Sequence, residues 1–529
     1  MSLIHLNSQV TKLSGVLKSV IVLLAGLAIC TPQTSSAQLA LPSVFSDHMV
    51  LQRNVPVPVW GTAPPNQEIT VTLSNHIETT ISDANGAWKV VLAGMETGGP
   101  FMLKITSKDH SIDIQDVLIG EVWLCSGQSN MEFPLERSAT AEMEVSIADY
   151  PDIRLFRMKK RVSMGNAPFS NKDIKLVNQD EFYLNTSWEK CTPESAAKFS
   201  AVAYFFGQKL HETLKVPIGL IQNAVGGSPA QSWISKESLS GHPQLEYLVN
   251  IKEGETWHDQ KGINPWLAQR SKQNLAPWFE QDQKGHLPHH PFEPGYLFRT
   301  GIEPLIPFSI KGTIWYQGES NATHPDSYGH MFELMVRNWR QAWDIGDFPF
   351  IYVQLPRIGN RNRWPEFREV QKQGLQIPNT AMVVTIDTGH PTDVHPKHKK
   401  IIGERLAATA LGKWYGLDTP YLGPSLLSWT RTRDQIRLVF KHAGNGLIVA
   451  DKQLGNILLE GYNPSGTQRL MVKPSNIKIF ENEVVIDIPK GLSLTTIKYA
   501  WSPYPDEALL YNSDNLPASP FKIELPGNN

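Results

Sequence analysis

Between residues 116 and 422, short apolar runs alternate with longer amphipathic stretches, and few folds accept that rhythm. The runs are "EVWLC" (121–125), "PIGLIQN" (217–223), "GTIWYQ" (312–317), "FIYVQL" (350–355) and "AMVVTID" (381–387). Helical patterns fall at about 196–214, 326–343, 366–374 and 396–411. Strands with no polar alternation are buried on both faces, which calls for a parallel sheet covered by helices. The expectation is an α/β fold. In such sheets the reacting and binding groups sit just past the carboxyl ends of the strands. The stretch 240–300 breaks the rhythm. Rich in Trp, His, Pro and Gln, it reads as an insertion over the edge or mouth of the sheet.

The flanks differ. Residues 38–115 and 423–529 carry short period-two runs such as "EITVTLS", "AWKVVLAG", "QIRLVF" and "EVVIDI", punctuated by Gly, Pro, Asn and Asp. Each reads as a β-module around a catalytic domain at 116–422. The first 37 residues read as an export signal. Lys12 and Lys18 precede the apolar "VIVLLAGLAIC", and small or polar residues lead to a cut after Ala37. That run is too short to span a bilayer, and no later run is long enough, so no membrane span is expected in the mature chain. Export to the periplasm or medium follows. Cys30 follows Ile29, which does not suit a lipidation site. Only Cys125 and Cys191 remain after the cut, too few for a disulfide framework; an oxidising compartment would allow a single bridge, but Cys125 at a strand end reads as a buried free thiol. A net charge of −2 gives no electrostatic case for nucleic acid or an anionic membrane.

The expected strand ends carry a consistent chemistry. After the first comes "SGQSN" with Ser129, and after the second "AVGGSP" with Gly226 and Gly227. After the third comes "QGESN" with Gln317 and Glu319, and after the last "DTGHPTDVHPKH" with Asp393 and His395. A serine hydroxyl becomes a nucleophile when an imidazole takes its proton, and the imidazole needs a carboxylate to hold its tautomer. Asp393 and His395, two apart in an extended loop, point the same way. The backbone N–H of Ser129, that of Gly226 or Gly227, and the Gln317 amide are candidate oxyanion donors. Gln128, Asn130, Glu319, Asn321 and Trp233 are candidates for substrate contact or support. Glu319 suits either catalysis or a helix start, where an acid meets the positive dipole end. "GQSNM" lacks the second glycine of the G-x-S-x-G elbow, which sets the α/β-hydrolase fold aside.

Taken in order, "GQSNM", "GGSPAQSW", "IWYQGESNA" and "DVHP" resemble the sialate O-acetylesterase family of the SGNH hydrolase superfamily. "FSDHMVLQR", "EPLIPFSIKG" and "NLPASPF" extend the likeness over nearly the whole mature chain. The resemblance implies a flavodoxin-like SGNH hydrolase domain flanked by β-modules, and a carbohydrate acetylesterase. It implies Ser129 as nucleophile, His395 as base, Asp393 as its partner, and Gly226 or Gly227 with Gln317 at the oxyanion. No metal or organic cofactor is required. The expected substrate is an O-acetylated glycan, sialic acid foremost, with an acetylated polysaccharide such as xylan as the alternative and a non-catalytic glycan-binding protein as the rival of another class. His390, Asp393, His395 and His398 also offer donors that suit zinc, a reading that leaves Ser129 and the glycine pair unexplained. "GHLPHHP" (285–291) reads as a polar loop. Among the Trp residues, 257, 266, 278 and 364 are candidate sugar platforms, while Trp315 sits inside a strand and reads as core.

Overall fold

The computed structural model describes residues 38–280, 286–449 and 453–526. The export signal expected over 1–37 lies outside them. Six strands open the chain: β1 (Val50–Gln52), β2 (Val57–Thr62), β3 (Glu68–Leu73), β4 (His76–Ile81), β5 (Ala87–Leu92) and β6 (Gly98–Thr106). β3 alternates inward Ile69, Val71 and Leu73 with outward Glu68, Thr70 and Thr72, and β5 turns Trp88, Val90 and Leu92 inward at the same period of two. The long β7 (Ser111–Gly127) then runs through position 115 without a break. Its first half pairs antiparallel with β6, and its second half is buried on both faces.

The remaining strands of the main sheet are β8 (Tyr150–Arg157), β9 (Trp188–Cys191), β10 (Ile218–Ala224), β11 (Gly312–Tyr316), β12 (Phe350–Val353) and β13 (Thr380–Val383). They lie in the order β13-β12-β11-β7-β10-β8-β9. All neighbours are parallel except β8 and β9. The product is a mixed sheet with a parallel centre. β10, β11, β12 and β13 are buried at every position, which matches their unbroken apolar runs.

Six helices matter for the site: α1 (Ser129–Glu132), α2 (Ala201–Leu214), α3 (Pro265–Asn274), α4 (Pro325–Trp343), α5 (Trp364–Gln373) and α6 (Lys400–Trp414). α4 starts with Pro325 at its first position, stops at Asp344 in the left-handed region, and buries Tyr328, Met331, Phe332, Met335 and Trp339 at helical spacing. α2 is capped by Ser200, whose hydroxyl accepts from the Ala203 N–H at 3.1 Å. The chain ends in further antiparallel sheets, one of Ser425–Arg431, Gln435–Lys441, Glu483–Asp487 and Ile477–Phe480, the other of Arg469–Val472, Ile457–Tyr462, Ser493–Tyr499 and Phe521–Glu524. They enclose a second core that also takes in Ile386. No helix among the described residues is long and apolar enough to cross a membrane. Cys125 and Cys191 are buried free thiols, and burial pushes Cys191 up to about 12.

Candidate active site

The first site loop begins at Gly127, whose φ of +142° few side chains accept. A Cβ there would stand 2.2 Å from the Tyr316 carbonyl oxygen of β11. Only glycine lets β7 and β11 close so tightly, and the Gln128 N–H then donates to that same oxygen at 3.0 Å. The turn places Ser129 as the first residue of α1. Its N–H has no partner among the described residues, as expected for the first amide of a helix.

Past β13, a loop carries His395 to this turn. The Nε2 atom of His395 stands 2.8 Å from the Ser129 hydroxyl. Asp393 lies beside the imidazole, with Oδ1 3.8 Å from Nδ1, and that oxygen accepts from the His395 backbone N–H at 2.8 Å. Burial lowers the His395 pKa. Lys399 and Arg137 push the same way, and Asp393 opposes them. The imidazole is therefore biased to the neutral form that accepts a proton.

Two glycines follow β10, and their amides differ. The Gly226 N–H donates to the Glu132 carboxylate at 2.7 Å and is spent. The Gly227 N–H has no partner among the described residues. Gly227 adopts φ +79°, and a Cβ there would meet the Trp266 ring at 2.9 Å. Conformation and space both demand glycine.

Gln317 goes elsewhere. Fully buried, it donates to Asn321 Oδ1 at 2.7 Å and to the Ser228 carbonyl at 3.3 Å. With both amide hydrogens committed, it is not free to face an oxyanion. Asn321 continues that scaffold, accepting from the Ala230 N–H and donating to Gln231. Trp233 is fully buried, donates to Ser228 Oγ at 2.9 Å and packs edge-on against Trp315. It is core, as is Trp315, and no sugar platform. Gln128 lines the cleft while its side-chain oxygen accepts from the Gly318 and Ser320 N–H groups, each at 3.3 Å. Glu319 also lines the cleft, and burial raises its pKa. Asn130 is wholly buried behind the turn.

The cleft over Ser129 and His395 measures about 900 Å³. The 240–300 insertion supplies one wall through α3, with Trp266 43% exposed and Arg270 over its ring at 5.0 Å. The loop after β12 supplies another, through Arg361 and Arg363. Arg363 pairs with Asp326 at 3.2 Å, and Lys160, also on the rim, pairs with Glu132. Arg361 has no ion-pair partner among the described residues. Trp257 is buried and stacked on His258, so it is no platform. His290 of the polar loop is buried against Phe169 and Asn274. No group of three or more His, Cys, Asp or Glu is gathered as a metal site would require, among the described residues.

Sequence reasoning missed Lys399 and the arginines at 361 and 363. The signal for the latter was visible: three arginines in "RIGNRNR" directly after a strand end. Lys399 gave less warning, because a lysine beside a helix start usually lies in water.

A family model for carbohydrate esterases, the sialic acid-specific acetylesterases, matches residues 119–253 and 300–412. Its gap falls on the insertion. A carbohydrate acetylesterase from Xanthomonas citri is 30% identical in sequence and superposes with a TM-score of 0.74, covering 92% of this chain and all of that one. The chain belongs to the sialate O-acetylesterase family of carbohydrate esterases. Mouse sialate O-acetylesterase (Mus musculus) is 28% identical over 535 residues, 91% of this chain and 94% of that protein. The human one (Homo sapiens) is 28% identical over 547 residues, 90% and 91%. As a member of this family the chain is a carboxylic ester hydrolase, and the Ser129–His395 contact lies inside the matched segments.

Proposed function

We propose that this esterase removes O-acetyl groups from sialic acids through an acetyl-enzyme on Ser129. One observation carries the reading: the 2.8 Å Nε2–Oγ contact beside two unspent backbone amides. His395 Nε2 takes the hydroxyl proton as Oγ attacks the acetyl carbonyl carbon. The oxyanion that forms is held by the N–H groups of Ser129 and Gly227. The bond to the sugar oxygen then breaks, and His395 returns the proton to that oxygen. Water next attacks the acetyl-enzyme, gives its proton to His395, and acetate leaves with Ser129 restored. Asp393 orients the imidazole. Its 3.8 Å separation from Nδ1 closes when substrate binds, as such contacts commonly tighten in the loaded enzyme.

An acidic sugar fits this cleft better than a neutral one. Arg361 has no carboxylate partner among the described residues and Arg270 is braced on Trp266, so two guanidinium groups line the cleft for a substrate that carries a carboxylate. With β8 set aside, which pairs parallel on the outer side of β10, the order β10-β7-β11-β12-β13 resembles the flavodoxin-like order 2-1-3-4-5 and supports an SGNH hydrolase domain with residues 38–115 and 423–529 as flanking β-modules. Residues 1–37 direct the chain out of the cytoplasm. The test is acetate release, measured in parallel from O-acetylated sialic acid and from acetylated xylan fragments, with Ser129→Ala as control. Release from the sialic acid that vanishes in the variant is expected. Equal activity in parent and variant refutes the mechanism, and preference for xylan fragments refutes the substrate.

A further inference from the structure

At the nucleophile turn meet three polar side chains that the proposed mechanism does not use, Asn130 and Lys399 fully buried behind it and Glu319 reaching in from the cleft wall. Asn130 follows Ser129 in the chain and is fully buried. Its Nδ2 donates to the Val394 carbonyl oxygen at 2.9 Å, and Val394 directly precedes His395. The same Nδ2 donates to Glu319 Oε1, and Oδ1 accepts from Lys399 Nζ. Lys399 is fully buried, with its ammonium 4.9 Å from the centre of the Phe133 ring and 5.5 Å from that of Tyr316. Lys399 and Glu319 make no direct ion pair. The Asn130 amide stands between them.

We propose that Asn130 is a positioning residue whose amide clamps the His395 loop to the nucleophile turn, with Lys399 and Glu319 locking that amide in one orientation.

The lock follows from donor and acceptor chemistry. An ammonium only donates, so Oδ1 must face Lys399. A carboxylate and a carbonyl only accept, so Nδ2 must face Glu319 and Val394. A flipped amide would set Oδ1 against two oxygens and Nδ2 against an ammonium, and every contact would fail. The clamp thus joins the neighbour of the nucleophile to the neighbour of the base through one rigid group. Burial pushes Lys399 down to about 7 and Glu319 upward, consistent with two charges that meet only through a bridging dipole. A loose loop would displace Nε2 from Oγ, and a misplacement of about 1 Å costs about a hundredfold in rate.

The inference rests on the serine-esterase reading, and the test separates the two. Asn130→Asp combined with Glu319→Gln moves the carboxylate from 319 to 130. The buried charge is conserved and a hydrogen bond to residue 319 is kept, but the donor to Val394 is lost. The expected result with p-nitrophenyl acetate is a melting temperature near that of the parent, an unchanged KM, and kcat lower by about a hundredfold. A kcat within about twofold of the parent would overturn the clamp. Glu319→Gln alone keeps an acceptor for Asn130, and its kcat is the reference against which the loss in the double variant is read. A hundredfold loss in that folded variant would also overturn it, because the carboxylate itself would then be needed. If the double variant does not fold, Asn130→Ala with Lys399→Met and Glu319→Gln gives the same test, since it leaves no unpaired buried charge. Ser129→Ala is run alongside. If it matches the parent, the esterase reading falls and takes the clamp with it. If it is dead while the double variant is active, the clamp alone falls.

Discussion

A single glycine amide separates an occupied donor from an available one at this site. Gly226 N–H is held by Glu132, whereas Gly227 N–H is unspent. Gly227→Ala forces a Cβ into the Trp266 ring at a φ of +79° and tilts that amide away. We expect kcat to fall about a hundredfold, the cost of one oxyanion donor at about 3 kcal/mol, together with a lower melting temperature from the strained φ and the crowded ring. Steady-state kinetics beside a thermal melt check this. His395 sets the acidic limb of the pH profile. Its neutral form is the base, and burial followed by Lys399 and Arg137 lowers its pKa from 6.5. The limb of kcat/KM should therefore lie below 6.5, and Arg137→Ala should move it upward, because a repelling cation is lost. A limb above 6.5 would contradict this. Arg361→Ala should raise KM for O-acetylated sialic acid about tenfold, worth about 1.4 kcal/mol, and leave p-nitrophenyl acetate hydrolysis as it was. Much of the residue-level chemistry was legible in the sequence, because glycine, hydroxyl, imidazole and acid recur where strands end. Lys399 was not, since its meaning lies in contacts with positions 130 and 319, far away in the chain. Gln317 was misplaced for a related reason. A motif announces an amide but not which neighbours engage its hydrogens.

Among the elements, the edge strands explain both a gap in the sequence reading and a source of stability. β8 and β9 escaped notice because "YPDIRLFR" mixes Pro, Asp and Arg with its apolar residues and follows neither strand template cleanly. Its Arg154 is buried in the sheet, where Nη1 and Nη2 donate to Asp116 of β7 at 2.9 and 3.2 Å. His48 at 2.7 Å and Lys190 of β9 at 3.0 Å complete the cluster. Burial works to raise the Asp116 pKa, yet the hydrogen bonds from Arg154, His48 and Lys190 hold it well below the ordinary carboxylate range. A depressed carboxylate contributes stability above its unfolded value of 3.8, and the contribution is lost as the pH falls. Asp116→Ala leaves the Arg154 charge buried and unpaired, and should cost about 3–5 kcal/mol in urea unfolding at neutral pH. A loss under about 1 kcal/mol would mean that water reaches the guanidinium. The central parallel strands were legible at the element scale because burial on both faces writes an unbroken apolar run.

Over the whole molecule, one arginine fastens the C-terminal sheets to the α/β layer. Arg368 of α5 is fully buried and pairs with no carboxylate among the described residues. Its guanidinium donates to the carbonyls of Leu355 at 3.0 Å, Pro356 at 3.0 Å, Ser502 at 2.8 Å and Pro503 at 2.8 Å. Burial followed by Arg357 pushes its pKa down to about 9. Arg357 adds a bond to the Pro505 carbonyl at 2.9 Å. Arg368→Met strips donors from four carbonyls and should split a single calorimetric transition into two, the C-terminal sheets melting first. One unchanged transition would show that the apolar contacts suffice. This docking could not be read from the chain, since no local pattern distinguishes an arginine that binds carbonyls from one that lies in water. β7 has a further practical consequence. The same ribbon of backbone that begins among the N-terminal strands delivers Gly127 to the nucleophile turn. Anyone trimming the gene at codon 115 would therefore cut a continuous strand in two, and the severed half would have to hold the reactive serine without its anchor.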